Sequence, residues 1–179
     1  GVHYLNIAKY GYEAGATHYT EAFFPIYPLV IRLFTLFFRH YILSGLIVSH
    51  VSLYLAFTYL IKLIQLDAPK GFGLKTLILI LAFPTSYYLG SVYSESLFFL
   101  ISVLCFYHAR KQNWLLASLL ASLASATRLV GVFLFPALLI EYYLHTKSLS
   151  SFLRPKVLVF LLAPLGLLIY MTYLYFLVH

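Results

Sequence analysis

Glu95 closes a polar, aromatic stretch, Ala82-Phe83-Pro84-Thr85-Ser86-Tyr87-Tyr88-Leu89-Gly90-Ser91-Val92-Tyr93-Ser94-Glu95-Ser96, set between two apolar runs. A carboxylate in such a place can take a proton from a hydroxyl or orient it. Pro84 and Gly90 break the backbone there, and irregular backbone at membrane depth is tolerated only where protein or water covers it. The stretch therefore reads as the lip of a cavity, with Ser86, Tyr87, Tyr93 and Ser94 available to line it. Tyr87 suits interfacial anchoring better. Arg128 brings a guanidinium, whose planar fork suits phosphate. Two readings of the pair stand side by side. Glu95 and Arg128 serve a site, or they neutralise each other for packing, and one pair can do both. An ionisable group within apolar sequence is a site hypothesis by default.

The elements that position these groups belong to a membrane protein. The chain of 179 residues is 63% hydrophobic and 9% charged, with a mean hydropathy of +0.92. A soluble domain of this length carries far more charge. The aromatic share of 19% fits residues that gather at membrane interfaces. The net charge of +7 does not point to nucleic acid, because the basic residues lie between apolar runs. Cys105 is the single cysteine, which excludes a disulfide framework and a cysteine metal site. No Gly-rich phosphate loop follows a strand pattern. The chain opens on Gly1 without a signal peptide, and it reads as a fragment lacking at least one preceding membrane helix.

Residues 1–40 are expected to form an external loop and interfacial helices. Glu13 and His18 fall there as solvated residues. Pro25 and Pro28 set the approach angle of a short helix carrying the snorkelling Arg32 and Arg39. Residues 41–179 hold the membrane helices. Residues 42–64 make a clean span, with Gly45 and Ser49 on one face for close helix approach. Asp67 to Gly73 is a basic-side loop in which Asp67 has no assigned role. Residues 74–90 form a span bent at Pro84, and 94–109 return. Trp114 is an expected interfacial anchor. Residues 114–145 divide into two passes around Thr127-Arg128, with small-residue rows at Ser118/Ser122/Ala126 and Ala117/Ala121/Ser125 for tight packing. Residues 157–178 complete the set. His50, His108 and His145 read as buried or interfacial and lie too far apart in sequence to suggest a metal site.

Charge decides between one pass and two over 114–145. With two, Lys62, Lys70, Lys75, Arg110, Lys111, Lys147, Arg154 and Lys156 share one side, while Lys9, Arg32, Arg39 and Arg128 share the other. The positive-inside rule favours that arrangement. The expected fold is an all-α integral membrane bundle of about six passes with both ends outside. Residues 1–23, the lip and Arg128 then meet at the outer face.

Three stretches in order carry a family resemblance: His3-Tyr4-Leu5-x-Ile7-Ala8-x-x-Gly11-Tyr12 followed by Ala22-Phe23-Phe24-Pro25-x-Tyr27-Pro28; Tyr93-Ser94-Glu95-Ser96-Leu97-Phe98; and Ala126-Thr127-Arg128-x-x-Gly131. Over about residues 1–135 the chain resembles the class V phosphatidylinositol-glycan mannosyltransferases, meaning GPI mannosyltransferase 2 and its prokaryotic relatives. The resemblance implies a GT-C glycosyltransferase: a multi-spanning helical protein that takes a polyprenyl-phosphate sugar, typically dolichyl-phosphate mannose, as donor. It implies a lipid or glycan acceptor, and a GPI precursor in the eukaryotic relatives. It also implies a home in the plasma membrane of a prokaryote or the endoplasmic reticulum of a eukaryote. A small membrane partner subunit is compatible with it, and so is a divalent cation.

In that family a Trp-Asp pair precedes the segment matched by Val2-His3-Tyr4, so the main catalytic Asp is expected immediately before Gly1. Glu95 then orients the acceptor, or binds a cation together with that Asp. His3 and Tyr4 become candidates to bind phosphate or sugar, against a structural reading for each. Glu21 becomes a candidate for the acceptor, against a solvated loop carboxylate. Ser86, Tyr93, Ser94 and Arg128 complete the expected substrate-binding set. Two other classes compete. A transporter or flippase would carry polar residues through to the basic side or show paired inverted halves. A non-catalytic scaffold subunit would lack the upstream Asp.

Overall fold

The computed structural model describes residues 1–12, 20–69 and 71–178. Glu13, His18 and Lys70 lie outside the described residues. Every regular element among the described residues is helical. The α-helices are α1 (Val2–Tyr10), α2 (Ile26–Phe38), α3 (Tyr41–Ile64), α4 (Phe72–Ala82), α5 (Tyr87–Gly90), α6 (Glu95–Arg110), α7 (Trp114–Ser125), α8 (Leu134–Thr146) and α9 (Leu165–Val178). Short 3-10 turns link several of them, including Pro84–Ser86, Leu129–Phe133 and Pro155–Leu162.

Length and composition make this a membrane-compatible bundle. At 1.5 Å per residue, the 24 residues of α3 run about 36 Å, more than a hydrocarbon core of about 30 Å. Leu129–Thr146 is the second helix long and apolar enough to cross. Two bent pairs raise the number of candidate spans to as many as four. Phe72–Ala82 with Pro84–Gly90 turns by 84°, and Pro155–Leu162 with Leu165–Leu177 turns by 45°. A proline sits at each break, Pro84 and Pro164, where the missing N–H ends the ladder. The 16 residues of α6 and the 12 of α7 are shorter than a full crossing.

Small residues decide which faces meet. On α3 the buried positions are Ser44, Gly45, Val48, Ser49, Ser52 and Ala56, one stripe at helical spacing. That stripe receives α2 and α6. Tyr27 of α2 is fully buried against it, its hydroxyl 2.8 Å from Ser49 Oγ and 3.3 Å from the Gly45 carbonyl. The chain then reverses at Arg39, which adopts φ 53°, and enters α3. So α2, expected to lie at the interface, packs back along the first half of α3.

The small rows of α7 behave the same way. Ala117, Ser118, Ala121, Ala124 and Ser125 are fully buried at the centre of the bundle. The Ser125 hydroxyl donates to the Ala163 carbonyl at 3.0 Å and accepts the Leu167 amide at 3.2 Å. It thereby serves backbone groups freed at the Pro164 break. Gly166 lies so close to α7 that a Cβ there would stand 1.9 Å from the Ser122 carbonyl oxygen.

The end of the bundle away from Glu95 is closed by charge and aromatics. Arg110, the last residue of α6, pairs with Asp67 after α3 and with Glu141 of α8, the latter at 3.2 Å. Asp67 thus ties the α3–α4 connection to the bundle. Trp114 packs edge-on to Tyr142 and Phe160, with centroids 5.2 and 5.6 Å away.

Replacing Gly166 with Ala should cost about 1–3 kcal/mol through overpacking, read as a lower unfolding midpoint in detergent. Gly90→Ala, where the nearest atom to a new Cβ is His50 Nε2 at 4.0 Å, should leave the midpoint unchanged or raise it.

Candidate functional site

Four segments distant in sequence converge at the other end of the bundle. Glu95 is the first residue of α6, so its carboxylate sits at the positive end of that helix. Arg128 lies at the break after α7, with extended backbone (φ −153°, ψ 145°). Its Nη1 donates to Glu95 Oε1 at 2.5 Å. The guanidinium also stands 5.9 Å from the Phe98 ring centroid, one helical turn beyond Glu95. About a third of each side chain stays exposed, 29% for Glu95 and 36% for Arg128. The second carboxylate oxygen, Glu95 Oε2, is buried and has no hydrogen-bond partner. An orphaned acceptor of this kind is costly unless something else satisfies it.

Close packing sets the position of Arg128. Thr127 is fully buried and donates to the Leu123 carbonyl at 2.7 Å. Gly131 returns the chain onto α7, and a Cβ there would meet the Ala124 carbonyl carbon and oxygen at 2.3 Å. The Ala126 carbonyl accepts the Ile26 amide at 3.4 Å, which joins the start of α2 to the same turn. The Thr127-Arg128-x-x-Gly131 spacing is therefore a packing requirement that aims one cation.

The N-terminal segment closes the site from another side. Gly1 rests on Val92, and its amino nitrogen lies within electrostatic reach of Glu95. Tyr4 is buried edge-on to Phe23 and Tyr27, and its hydroxyl is 2.9 Å from Ser94 Oγ. Burial pushes the Tyr4 phenol up from its ordinary value, so it stays a neutral hydroxyl. Ser49 Oγ reaches the Tyr93 carbonyl at 3.5 Å. These bonds lock the residues just before Glu95 to α1 and α3.

The expected site residues divide accordingly. Glu95 and Arg128 meet. Tyr4 and Ser94 bond to each other, and Ser94 is buried, so they brace the site instead of lining a cavity. Tyr93 packs edge-on to Tyr88 at 5.1 Å. His3 is exposed and stacks on Phe23 at 4.7 Å. Glu21 lies on the α9 side, where its carbonyl accepts the Tyr170 hydroxyl at 2.7 Å. Ser86 does line open space beside Glu95, while its hydroxyl donates to the Leu81 carbonyl at 2.9 Å. Among the described residues no three His, Cys, Asp or Glu side chains converge as metal ligands.

Two grooves meet at Glu95, and Ile80 and Leu89 line both. One, of about 440 Å³, runs between α4 and the lip past Thr76, Thr85, Ser86 and Tyr88. The other, of about 370 Å³, runs past Phe98, Phe99, Val130 and Arg128. The grooves exist because α4 leans on α3 through Gly73 and Ile61 and leaves its remaining apolar faces open. Sequence reasoning found the charges, the lip of a cavity and the bend at Pro84, which turns the chain by 84°.

A double-mutant cycle on Glu95→Gln and Arg128→Gln should return a coupling of about 0.5–3 kcal/mol, measured by unfolding in detergent. Additive effects would show that the contact does not persist in solution.

Comparisons with family models, with curated proteins and with solved structures find no match to this chain.

Proposed function

We propose that the chain forms the catalytic part of a membrane glycosyltransferase, a six-pass GT-C-type bundle that moves mannose from a polyprenyl-phosphate to a lipid or glycan hydroxyl on the outer or luminal face. The observation that carries this reading is the Arg128–Glu95 pair at 2.5 Å, at the head of grooves with apolar walls. A polyprenyl-phosphate sugar has three parts: a greasy tail, an anion and a sugar. An apolar groove beside a guanidinium and a carboxylate answers to all three.

In the proposed step the acceptor oxygen attacks the anomeric carbon of the donor. The bond from that carbon to phosphate breaks, and its electron pair leaves with the phosphate. Arg128 uses one donor on Glu95, and its remaining N–H groups hold the departing anion. The Glu95 carboxylate, about a third exposed, accepts the hydroxyl proton or fixes the hydroxyl for a neighbouring base. The ionisable groups of α6 gather at its two ends, which speaks against a charged path along it for transport.

The test is transfer from radiolabelled dolichyl-phosphate mannose in membranes that carry the protein. Glu95→Gln should reduce transfer about 10²- to 10⁴-fold while the protein accumulates normally. Arg128→Met should also reduce it. Full activity in both variants rejects this mechanism.

A further inference from the structure

A cavity of about 530 Å³ lies between α1, α2, the end of α7 and α9, and neither Glu95 nor Arg128 lines it. Its volume falls within the range of about 300–1,000 Å³ that suits small ligands. Helix spacing builds its walls. Ile26, Leu29 and Arg32 follow one another along one face of α2, and Gly166, Ile169 and Tyr173 do the same on α9. The α9 wall from Gly166 to Tyr173 runs about 10 Å at 1.5 Å per residue. Both walls start at α7, where Gly166 rests on Ser122 and the Ile26 amide meets the Ala126 carbonyl at 3.4 Å. Arg32 and Tyr173 stand nearly two helical turns farther on. The cavity therefore runs from an apolar end to a cation and a phenol.

The polar end lacks partners. Among the described residues Arg32 is the one charged residue that lines the cavity, and no carboxylate pairs with it, whereas Arg110 and Arg128 each hold one. Tyr173 has no hydrogen-bond partner among the described residues, while the hydroxyls of Tyr12 and Tyr170 beside it are spent on the Phe23 and Glu21 carbonyls. A guanidinium in apolar surroundings is stabilised by an anion. Leu29 is 57% exposed and Ile169 67%, so in a membrane the cavity opens sideways to acyl chains.

We infer that this cavity holds an anionic phospholipid of the surrounding membrane, with one acyl chain between α2 and α9 and its phosphate at Arg32. The guanidinium fork suits phosphate oxygens, and the Tyr173 hydroxyl adds one more donor. A free phosphate would leave the apolar walls uncovered. A neutral apolar molecule would leave Arg32 without its anion. An anionic amphiphile answers to both ends of the cavity. Lipid tails are as apolar as these walls, so a tail gains little by moving into the cavity from the bilayer. Selectivity therefore rests on the head group, and the walls set where it stands. Neither Glu95 nor Arg128 takes part, so lipid binding here is independent of the sugar transfer proposed above.

Photo-crosslinking in vesicles of equal parts phosphatidylglycerol and phosphatidylcholine tests this. A photoreactive amino acid replaces Leu29 in one version of the protein and Val51 in another. Val51 is 45% exposed on α3, near the level at which Ser49 meets Tyr27, and lines none of the cavities described. The ratio of phosphatidylglycerol to phosphatidylcholine captured at position 29 should exceed the ratio at position 51 about fivefold, the equivalent of about 1 kcal/mol for one basic residue against anionic lipid. Arg32 is exposed, so its replacement leaves the core intact. Arg32→Gln should bring the ratio at position 29 down to that at position 51, and Arg32→Lys, which keeps the charge, should retain part of the preference. Ile169→Trp, which narrows the cavity, should lower capture at position 29 and spare capture at position 51. Equal ratios at the two positions, or a preference at position 29 that survives Arg32→Gln, overturns the assignment. So does loss of phosphatidylglycerol capture on adding dolichyl phosphate at a tenth of its amount, which would make the cavity a polyprenyl site.

Discussion

A carboxylate at the first residue of α6 and a guanidinium at the break after α7 share one short hydrogen bond, and much of that end of the bundle follows from holding them together. Neither charge is cheap in surroundings this apolar, and removing one would strand the other. The turn that carries Arg128 can approach only because residue 131 is glycine. The lip that carries Glu95 can settle only because Tyr4 and Ser94 satisfy each other and Ser49 reaches the Tyr93 carbonyl. Several contacts that look like ordinary packing serve one electrostatic requirement.

The same helix is held at its far end by a second charge cluster. Arg110 joins Asp67 and Glu141, so ion pairs hold α6 at both its first and its last residue. Between them the helix presents Leu97, Leu100, Ile101, Val103 and Cys105 to the core. Fixing both ends defines the level at which Glu95 stands. It also explains how α4 can lean away without loosening the bundle, because Asp67 ties its connection down.

The charges were legible in the sequence because an ionisable residue in apolar surroundings is conspicuous, and Glu95 and Arg128 were singled out on that ground. Their contact could only be inferred, through the parity of helices between them. The small-residue rows were equally readable. Gly45, Ser49, Ala121 and Ser125 are all buried where helices approach. Side-chain direction was not readable. Tyr4 and Ser94 have the polar ends expected of substrate ligands, yet they spend those ends on each other. Glu141 drew no notice, because one acid inside an apolar helix shows its partner only when Arg110 is brought alongside in space.

The unpartnered oxygen of Glu95 carries a cost in stability. A bundle selected only for stability would give that oxygen a donor, and several hydroxyls lie close by in sequence. Ser94 is taken by Tyr4, Ser96 by the Leu89 carbonyl and Ser91 by the Tyr87 carbonyl at 2.9 Å. The neighbouring donors are turned inward to the fold, and one carboxylate oxygen stays buried without a partner. A satisfied Glu95 would make a better strut. An unsatisfied one carries the cost of a buried acceptor without a donor, set against the bond that its other oxygen makes to Arg128.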